Sequence, residues 1–265
     1  MTTVTNSWHG RRVLNSSPVA LVTGAGRGIG RAVAVRLSSQ GYRVALTSRN
    51  ADQLHETARA CAGKSLVLPE DITSSEAIDR LFDTVEETWG GIEVLVANAG
   101  AATSAPVSRT TDEQWAQMLE LNLTAPFRCI RRAIPTMLNQ GHGRIVVVAS
   151  VAAKKGEPYV SAYTASKHGV LGVVRSAAAE VAAKGITINA VCPGYVDSSM
   201  TERTIANIAT ATNRTTEQAR AALEAKQPNG RLVTVDEVAE AVWLCVTNSA
   251  LNGQGITIDG GGVQS

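Results

Sequence analysis

Tyr163 and Lys167 stand four residues apart in Tyr163-Thr-Ala-Ser-Lys167, at the start of a segment of helical period that runs to about Lys184. That spacing puts both side chains on one helix face. A phenol ionises at about 10, too high to exchange protons readily at neutral pH. An ammonium about 4 Å away contributes on the order of 4 kcal/mol at an effective dielectric of about 20, or about three decades in acidity before burial of the phenol opposes it. A tyrosine tuned in this way is a general acid for a developing alkoxide. Ser150 closes a β-branched run thirteen residues earlier, where a hydroxyl aimed at the same oxygen acts most strongly in the transition state. Taken singly, each has a plainer explanation, a solvated helix pair or a turn serine.

A second chemical signal is Thr23-Gly24-Ala25-Gly26-Arg27-Gly28-Ile29-Gly30, directly after one β-branched run and before a helical segment. Glycines there let the backbone approach a pyrophosphate, and the helix N-terminus adds free N–H groups and about half a positive charge. The spacing is Gly-x-x-x-Gly-x-Gly, not the Gly-x-Gly-x-x-Gly fingerprint. A fold preferring NAD places a carboxylate at the end of its second strand, but this chain has Ser48-Arg49. Arg49 and Arg27 are two cations suited to a 2′-phosphate, which favours NADPH over NADH. Asp71-Ile72, just after the third run, offers a carboxylate and an apolar side chain to bracket an adenine.

These residues need a frame. Seven β-branched runs alternate with helical segments: Val19–Thr23, Arg43–Thr47, Ser65–Leu68, Glu93–Ala97, Arg144–Ala149, Thr187–Val191 and Gly255–Ile258. They are almost continuously apolar, as in parallel strands covered on both faces. Capping residues precede the helices at Asn50, at Thr73-Ser74-Ser75-Glu76, at Thr110-Thr111-Asp112-Glu113 and at Thr234 with Glu237. The expected fold is α/β, a doubly wound, seven-stranded parallel sheet with helices on both faces. The segment 194–231 is polar and strandless, with amphipathic pieces over Met200–Ala209 and Thr216–Lys226. It reads as a lid at the C-terminal end of the sixth strand, where such sheets bind ligands. Met200, Ile205 and Ile208 on that lid suit an apolar substrate, or else serve as packing residues.

Composition sets the outer limits. In 265 residues, 25 basic side chains against 23 acidic ones give a formal charge of +2, and the scatter of the basic residues argues against a nucleic-acid partner. Cys61, Cys129, Cys192 and Cys245 form no pair at metal-binding spacing, so no metal is expected and a reducing compartment, the cytoplasm, fits best. No apolar run reaches membrane-spanning or signal-peptide length. Residues 1–17 read as a mobile tail before a single domain over 18–265.

The whole order of motifs from Pro18 to Gly262 resembles the short-chain dehydrogenase/reductase family: the glycine turn, Asn98-Ala99-Gly100, Asn122, Ser150, Tyr163, Lys167 and Pro193-Gly194. The resemblance implies a Rossmann fold with Tyr163 as acid/base and Ser150 steadying the substrate oxygen. It implies that Lys167 lowers the Tyr163 pKa while holding the nicotinamide ribose, and that Asn122 holds a water extending the proton path. Gly24, Arg27, Gly28, Ile29 and Gly30 would cradle the dinucleotide, with Ser48, Arg49, Asp71 and Ile72 at its adenosine end. Asn98, Ala99 and Gly100 would support the sheet and meet the adenosine ribose, and Pro193, Gly194, Val196 and Ser198 would surround the nicotinamide. Two positions depart from the family pattern: Ala97 replaces a frequent Asn, and Ser198 a frequent Thr. The implied activity is NADPH-dependent reduction of a ketone, a 3-oxoacyl thioester or a small cyclic or aryl ketone. An NAD-linked secondary-alcohol or 3-hydroxyacyl dehydrogenase and a non-catalytic NADP sensor are the alternatives. The resemblance also implies a homotetramer, and the small residues Ala165, Gly169, Gly172, Ser176 and Ala179 along the long helix permit close helix packing.

Overall fold

A computed structural model describes residues 17–264. The tail expected at the N-terminus lies, Ser17 apart, outside the described residues. Seven parallel strands form one sheet in the order β3-β2-β1-β4-β5-β6-β7. They are β1 (Val19–Thr23), β2 (Arg43–Ser48), β3 (Ser65–Pro69), β4 (Val94–Ala97), β5 (Gly143–Val148), β6 (Ile186–Pro193) and β7 (Gly255–Ile258). β1 and β7 match the expected runs and the other five differ by one or two residues at their ends, and Rossmann-type doubly wound topology is what they build. Strand order reverses between β1 and β4, which leaves a crevice at their C-terminal ends, the place where sheets of this kind receive ligands.

The apolar strands are explained by a core on each face. On one side α1 (Gly28–Ser39), α2 (Ala51–Ala60) and α9 (Val235–Thr247) cover Ala20, Val22, Val44, Leu46, Val96 and Val146. On the other, α3 (Ser75–Trp89), α5 (Ala125–Gln140) and α6 (Ser161–Val181) bury Leu21, Leu95, Ile145 and Ile188 with Phe82, Cys129 and Val170. Each such side chain withdrawn from water contributes about 1.5–3 kcal/mol, so alternation along a strand would forfeit one core or the other.

Local signals set the helix starts. Asn50 Oδ1 accepts from Gln53 N at 3.0 Å and Ser74 Oγ from Ala77 N at 3.1 Å. Thr111 and Thr234 each form a reciprocal capping box, with Gln114 and Glu237, at the heads of α4 (Asp112–Leu119) and α9. Between α4 and α5 the backbone widens into a π turn over Glu120–Thr124 that sequence period did not anticipate.

The segment 194–231 carries α7 (Ser199–Thr212) and α8 (Thr216–Glu224). Its two ends meet: Val196 and Val233 form an isolated parallel bridge, with Val233 N donating to Tyr195 O at 2.9 Å and Asp197 N to Val233 O at 2.8 Å. The two helices share a small apolar cluster of Ile205, Ala219, Leu223 and Leu232, with Ile208 packed on it.

Candidate active site

The turn after β1 is built by close approach. Gly24 has φ +66°, and a Cβ on Gly30 would lie 2.2 Å from Gly24 O and 2.5 Å from Asn98 Nδ2. Asn98 is the brace: its Nδ2 donates to Thr23 O at 2.9 Å, while Thr23 Oγ1 accepts from the amides of Asn98 and Ala99, both at 3.0 Å. Arg27 precedes α1 in extended conformation without a side-chain cap, and the first turn of α1 holds no acidic residue. Its N–H groups are thereby left to an anion. A cleft of about 730 Å³ opens from this turn across the sheet, within the range of small-molecule sites.

Every residue expected from the sequence at the catalytic or cofactor site lines that one cleft, from Gly24, Arg27, Ser48 and Arg49 at one end to Ser150, Tyr163, Pro193 and Ser198 at the other. Arg27 and Arg49 are exposed there. Asp71 is already engaged: its carboxylate accepts from Thr73 N at 3.0 Å and Thr73 Oγ1 at 2.9 Å. Those bonds, chiefly the backbone one, hold it below the usual carboxylate range against the cost of burial, and Arg49 assists. A glycine cradle, an uncapped helix start and two exposed guanidiniums make a donor set that fits a dinucleotide with an extra phosphate.

At the other end, the Ser150 hydroxyl interacts with the Tyr163 phenol. Ser150 Oγ also accepts from Ala152 N at 3.1 Å, which fixes its rotamer at the head of a short 3₁₀ turn over Val151–Ala153. Lys167, 5% exposed, sends its Nζ to Val148 O at 2.9 Å and lies 5.6 Å from the Tyr163 ring centroid. Burial pushes the Tyr163 phenol up, while the Ser150 bond pulls it down. The neighbouring acidic groups Tyr195 and Cys192 add to the rise. The lysine effect expected from the four-residue spacing is therefore outweighed: the ammonium faces a strand carbonyl, and desolvation dominates the phenol. Burial also lowers Lys167 itself to about 8.

Asn122 is 1% exposed in the π turn. Its Nδ2 donates to Ala101 O at 2.9 Å and its Oδ1 accepts from Ala101 N at 3.1 Å, tying α5 to the loop that follows β4. Ile205 and Ile208 do not face the cleft; they pack on α8, so of the three lid side chains only Met200 lines it. Sequence reasoning missed Arg203, Gln117 and Gln53, which also line the cleft. It also missed Gln227, 3% exposed, whose Oε1 accepts from Tyr195 N at 3.0 Å and whose Nε2 donates to Tyr195 O at 3.2 Å and to Arg231 O. The only sequence signal for Gln227 was the Gln-Pro-Asn-Gly turn it opens. Among the described residues no group of His, Cys, Asp and Glu is placed to hold a metal, and no helix is long and apolar enough to cross a membrane.

Comparison with known proteins gives a consistent neighbourhood. The profile described as short chain dehydrogenase matches residues 18–209. D-beta-hydroxybutyrate dehydrogenase of Rhizobium meliloti is 35% identical over 250 residues, covering 91% of this chain and 97% of its own. The 3-oxoacyl-[acyl-carrier-protein] reductase FabG of Escherichia coli is 34% identical, covering 92% and 96%. Among solved structures, a single-site variant of actinorhodin polyketide ketoreductase with NADPH superposes with a TM-score of 0.90 at 36% identity, covering 93% and 97%.

Proposed function

The chain belongs to the short-chain dehydrogenase family, and we propose that it reduces a ketone to a secondary alcohol, with NADPH as hydride donor and Tyr163 as proton donor. The observation that carries this reading is that Ser150 and Tyr163 line one end of a cleft whose other end is a glycine cradle with two arginines.

NADPH, when bound, supplies the hydride that reaches the carbonyl carbon. Around it, Gly24, Gly28, Ile29 and Gly30 with the α1 N-terminus would hold the pyrophosphate, and Arg27, Ser48 and Arg49 the 2′-phosphate. Asp71, Ile72, Asn98, Ala99 and Gly100 would flank the adenosine, and Lys167, Pro193, Gly194, Val196 and Ser198 the nicotinamide end. Ser150 donates to the substrate oxygen and fixes its place. Tyr163, its phenol raised by burial, keeps its proton at neutral pH until the oxygen becomes alkoxide, then gives it up; the C–O⁻ becomes C–OH and the phenol phenolate. Lys167, lowered to about 8, exchanges protons near neutrality and restores the phenol, with Asn122 anchoring the path towards solvent.

The single-domain organisation over 18–265, a lid over 194–231, a homotetramer and a cytoplasmic setting belong to the same reading. Free thiols at all four cysteines support the last. On α6, Gly172, Ser176 and Ala179 are exposed and available to a neighbouring copy, whereas the Gly169 position is closed by Leu123 at 2.9 Å within this chain.

A panel of ketones incubated with NADPH and purified protein tests the proposal: ketone-dependent loss of NADPH absorbance supports it, and inertness towards every member defeats it. One observation favours a second reading, oxidation of a 3-hydroxy acid, namely the likeness to D-beta-hydroxybutyrate dehydrogenase. Rates with NAD⁺ and NADP⁺ in the oxidative direction separate the two.

A further inference from the structure

One wall of the substrate end is a face of α7. Met200, Arg203, Thr204 and Asn207 recur at i, i+3, i+4 and i+7 and line a cavity of about 310 Å³ with Ala102 and Ala206. Met200 and Arg203 also line the main cleft, so the two spaces share a wall. The apolar side of α7 is spent on α8 through Ile205 and Ile208. Beyond Met200 and the two alanines, what faces the pocket is polar.

The charges on that side are unbalanced. Three carboxylates line the main cleft, and each is engaged elsewhere: Glu70 with Arg80 at 3.0 Å, Glu120 with Arg128, and Asp71 with Thr73. On the lid, Glu202 and Asp197 pair with Arg220 on α8. Arg203 is exposed, and among the described residues it has no carboxylate partner; the Asn207 amide on the same face is likewise without a side-chain partner. Thr204 gives its hydroxyl proton to Met200 O at 3.1 Å and so offers no donor. A guanidinium and an amide one helical turn apart, beside a cleft whose Glu70 and Glu120 are already paired with arginines, make a site for an oxyanion.

Resting on the ketone-reductase reading, we propose that the substrate carries an oxyanion, a carboxylate or a phosphate ester, bound by Arg203 with Asn207 in support. Arg27 and Arg49 serve the nucleotide end of the cleft; Arg203 serves the substrate end and selects charged ketones over neutral ones of the same shape.

The test uses matched pairs at saturating NADPH. Acetoacetate against methyl acetoacetate probes a carboxylate close to the ketone, and acetoacetyl-pantetheine 4′-phosphate against acetoacetyl-pantetheine probes a phosphate at the end of a long arm. The native protein is expected to favour the anionic member of one pair by about tenfold in kcat/KM, through KM rather than kcat. That ratio should fall to about one in Arg203→Ala and be partly retained in Arg203→Lys. Added salt should reduce it, as for any exposed ion pair. The pair that shows the effect identifies the anion. Equal rates within both pairs overturn the inference and leave the reductase reading standing. A rise in the KM for NADPH in Arg203→Ala, with the substrate ratio unchanged, also overturns it by assigning Arg203 to the nucleotide. Failure of the native protein to reduce any of the four ketones or any of the wider panel is the distinct result that removes the reductase reading itself.

Discussion

Lys167 Nζ donates to the carbonyl oxygen of Val148 at 2.9 Å, so the helix that carries Tyr163 is pinned to the end of the strand that leads to Ser150. The position of the phenol relative to the serine hydroxyl is thus fixed by a charge-assisted bond between α6 and β5, in a site where Lys167 is almost fully buried.

Replacing Tyr163 by Phe removes the donated proton while keeping the ring. Turnover should drop by about 10²–10⁴-fold, with NADPH affinity, read by fluorescence titration, changed little. Ordinary activity in the variant would take the acid role from Tyr163.

Burial of Lys167 implies a pH-dependent cost. Its folded pKa of about 8 lies below the ordinary 10.5, so the unfolded chain binds the proton more tightly. The penalty is complete below about pH 8 and disappears as pH rises past the unfolded value, a difference of about 3 kcal/mol. Denaturant unfolding of the nucleotide-free protein should therefore show the native chain gaining on Lys167→Met between pH 8 and 10. Parallel pH profiles would contradict this.

Arg49 stands exposed where the 2′-phosphate of NADPH is proposed to lie. Arg49→Asp exchanges attraction for repulsion there, and the ratio of kcat/KM for NADPH over NADH should fall by about tenfold or more, since a hydrogen bond to a charged group is worth about 1.5–3 kcal/mol. An unchanged ratio measured with one ketone would dissociate Arg49 from cofactor choice.

Gly30 has no room for a methyl group: the added carbon would meet Gly24 O at 2.2 Å. Overpacking of this kind costs about 1–3 kcal/mol. Gly30→Ala should lower the melting temperature and weaken nucleotide binding together, because the displaced carbonyl belongs to the cradle. A variant with native stability and native NADPH affinity would show that the turn yields more easily than its geometry implies.

Gln227→Ala would strip Tyr195 N of its acceptor in a site where Gln227 is 3% exposed. An unsatisfied buried group costs about 1–3 kcal/mol. The loss should appear as a lower melting temperature and a raised KM for the ketone, since the loop from Pro193 to Val196 leads directly into α7. Gln227→Glu retains the acceptor but sets a carboxylate oxygen against the Tyr195 and Arg231 carbonyls and should cost at least as much.

How far the sequence could be read depended on how local each determinant was. The strands were legible because burial on both faces leaves an unbroken apolar run, and the glycine turn because Gly24 and Gly30 answer to neighbours that any such turn must have. Asn122 was legible as a residue but not in its setting: a π turn carries no glycine or proline marker, and the reach of Asn122 to both polar atoms of Ala101 is a contact with another part of the chain. The facing of Ile205 and Ile208 was open for a related reason. An amphipathic helix shows which side is apolar but not which neighbour takes that side, and here α8 does. The Tyr163–Lys167 spacing gave the shared face, while the Val148 carbonyl that draws the ammonium, and the burial that governs the phenol, lie on another element.

The bridge between Val196 and Val233 closes the segment 194–231 at its root, so α7 and α8 leave the sheet and return to it through a single doorway. On the proposed reading, selectivity is housed in a detachable annex. Exchanging the excursion for one of different length or polarity, with the two valines kept, should re-address the enzyme to another ketone without rewiring the strands or the proton donor beneath it.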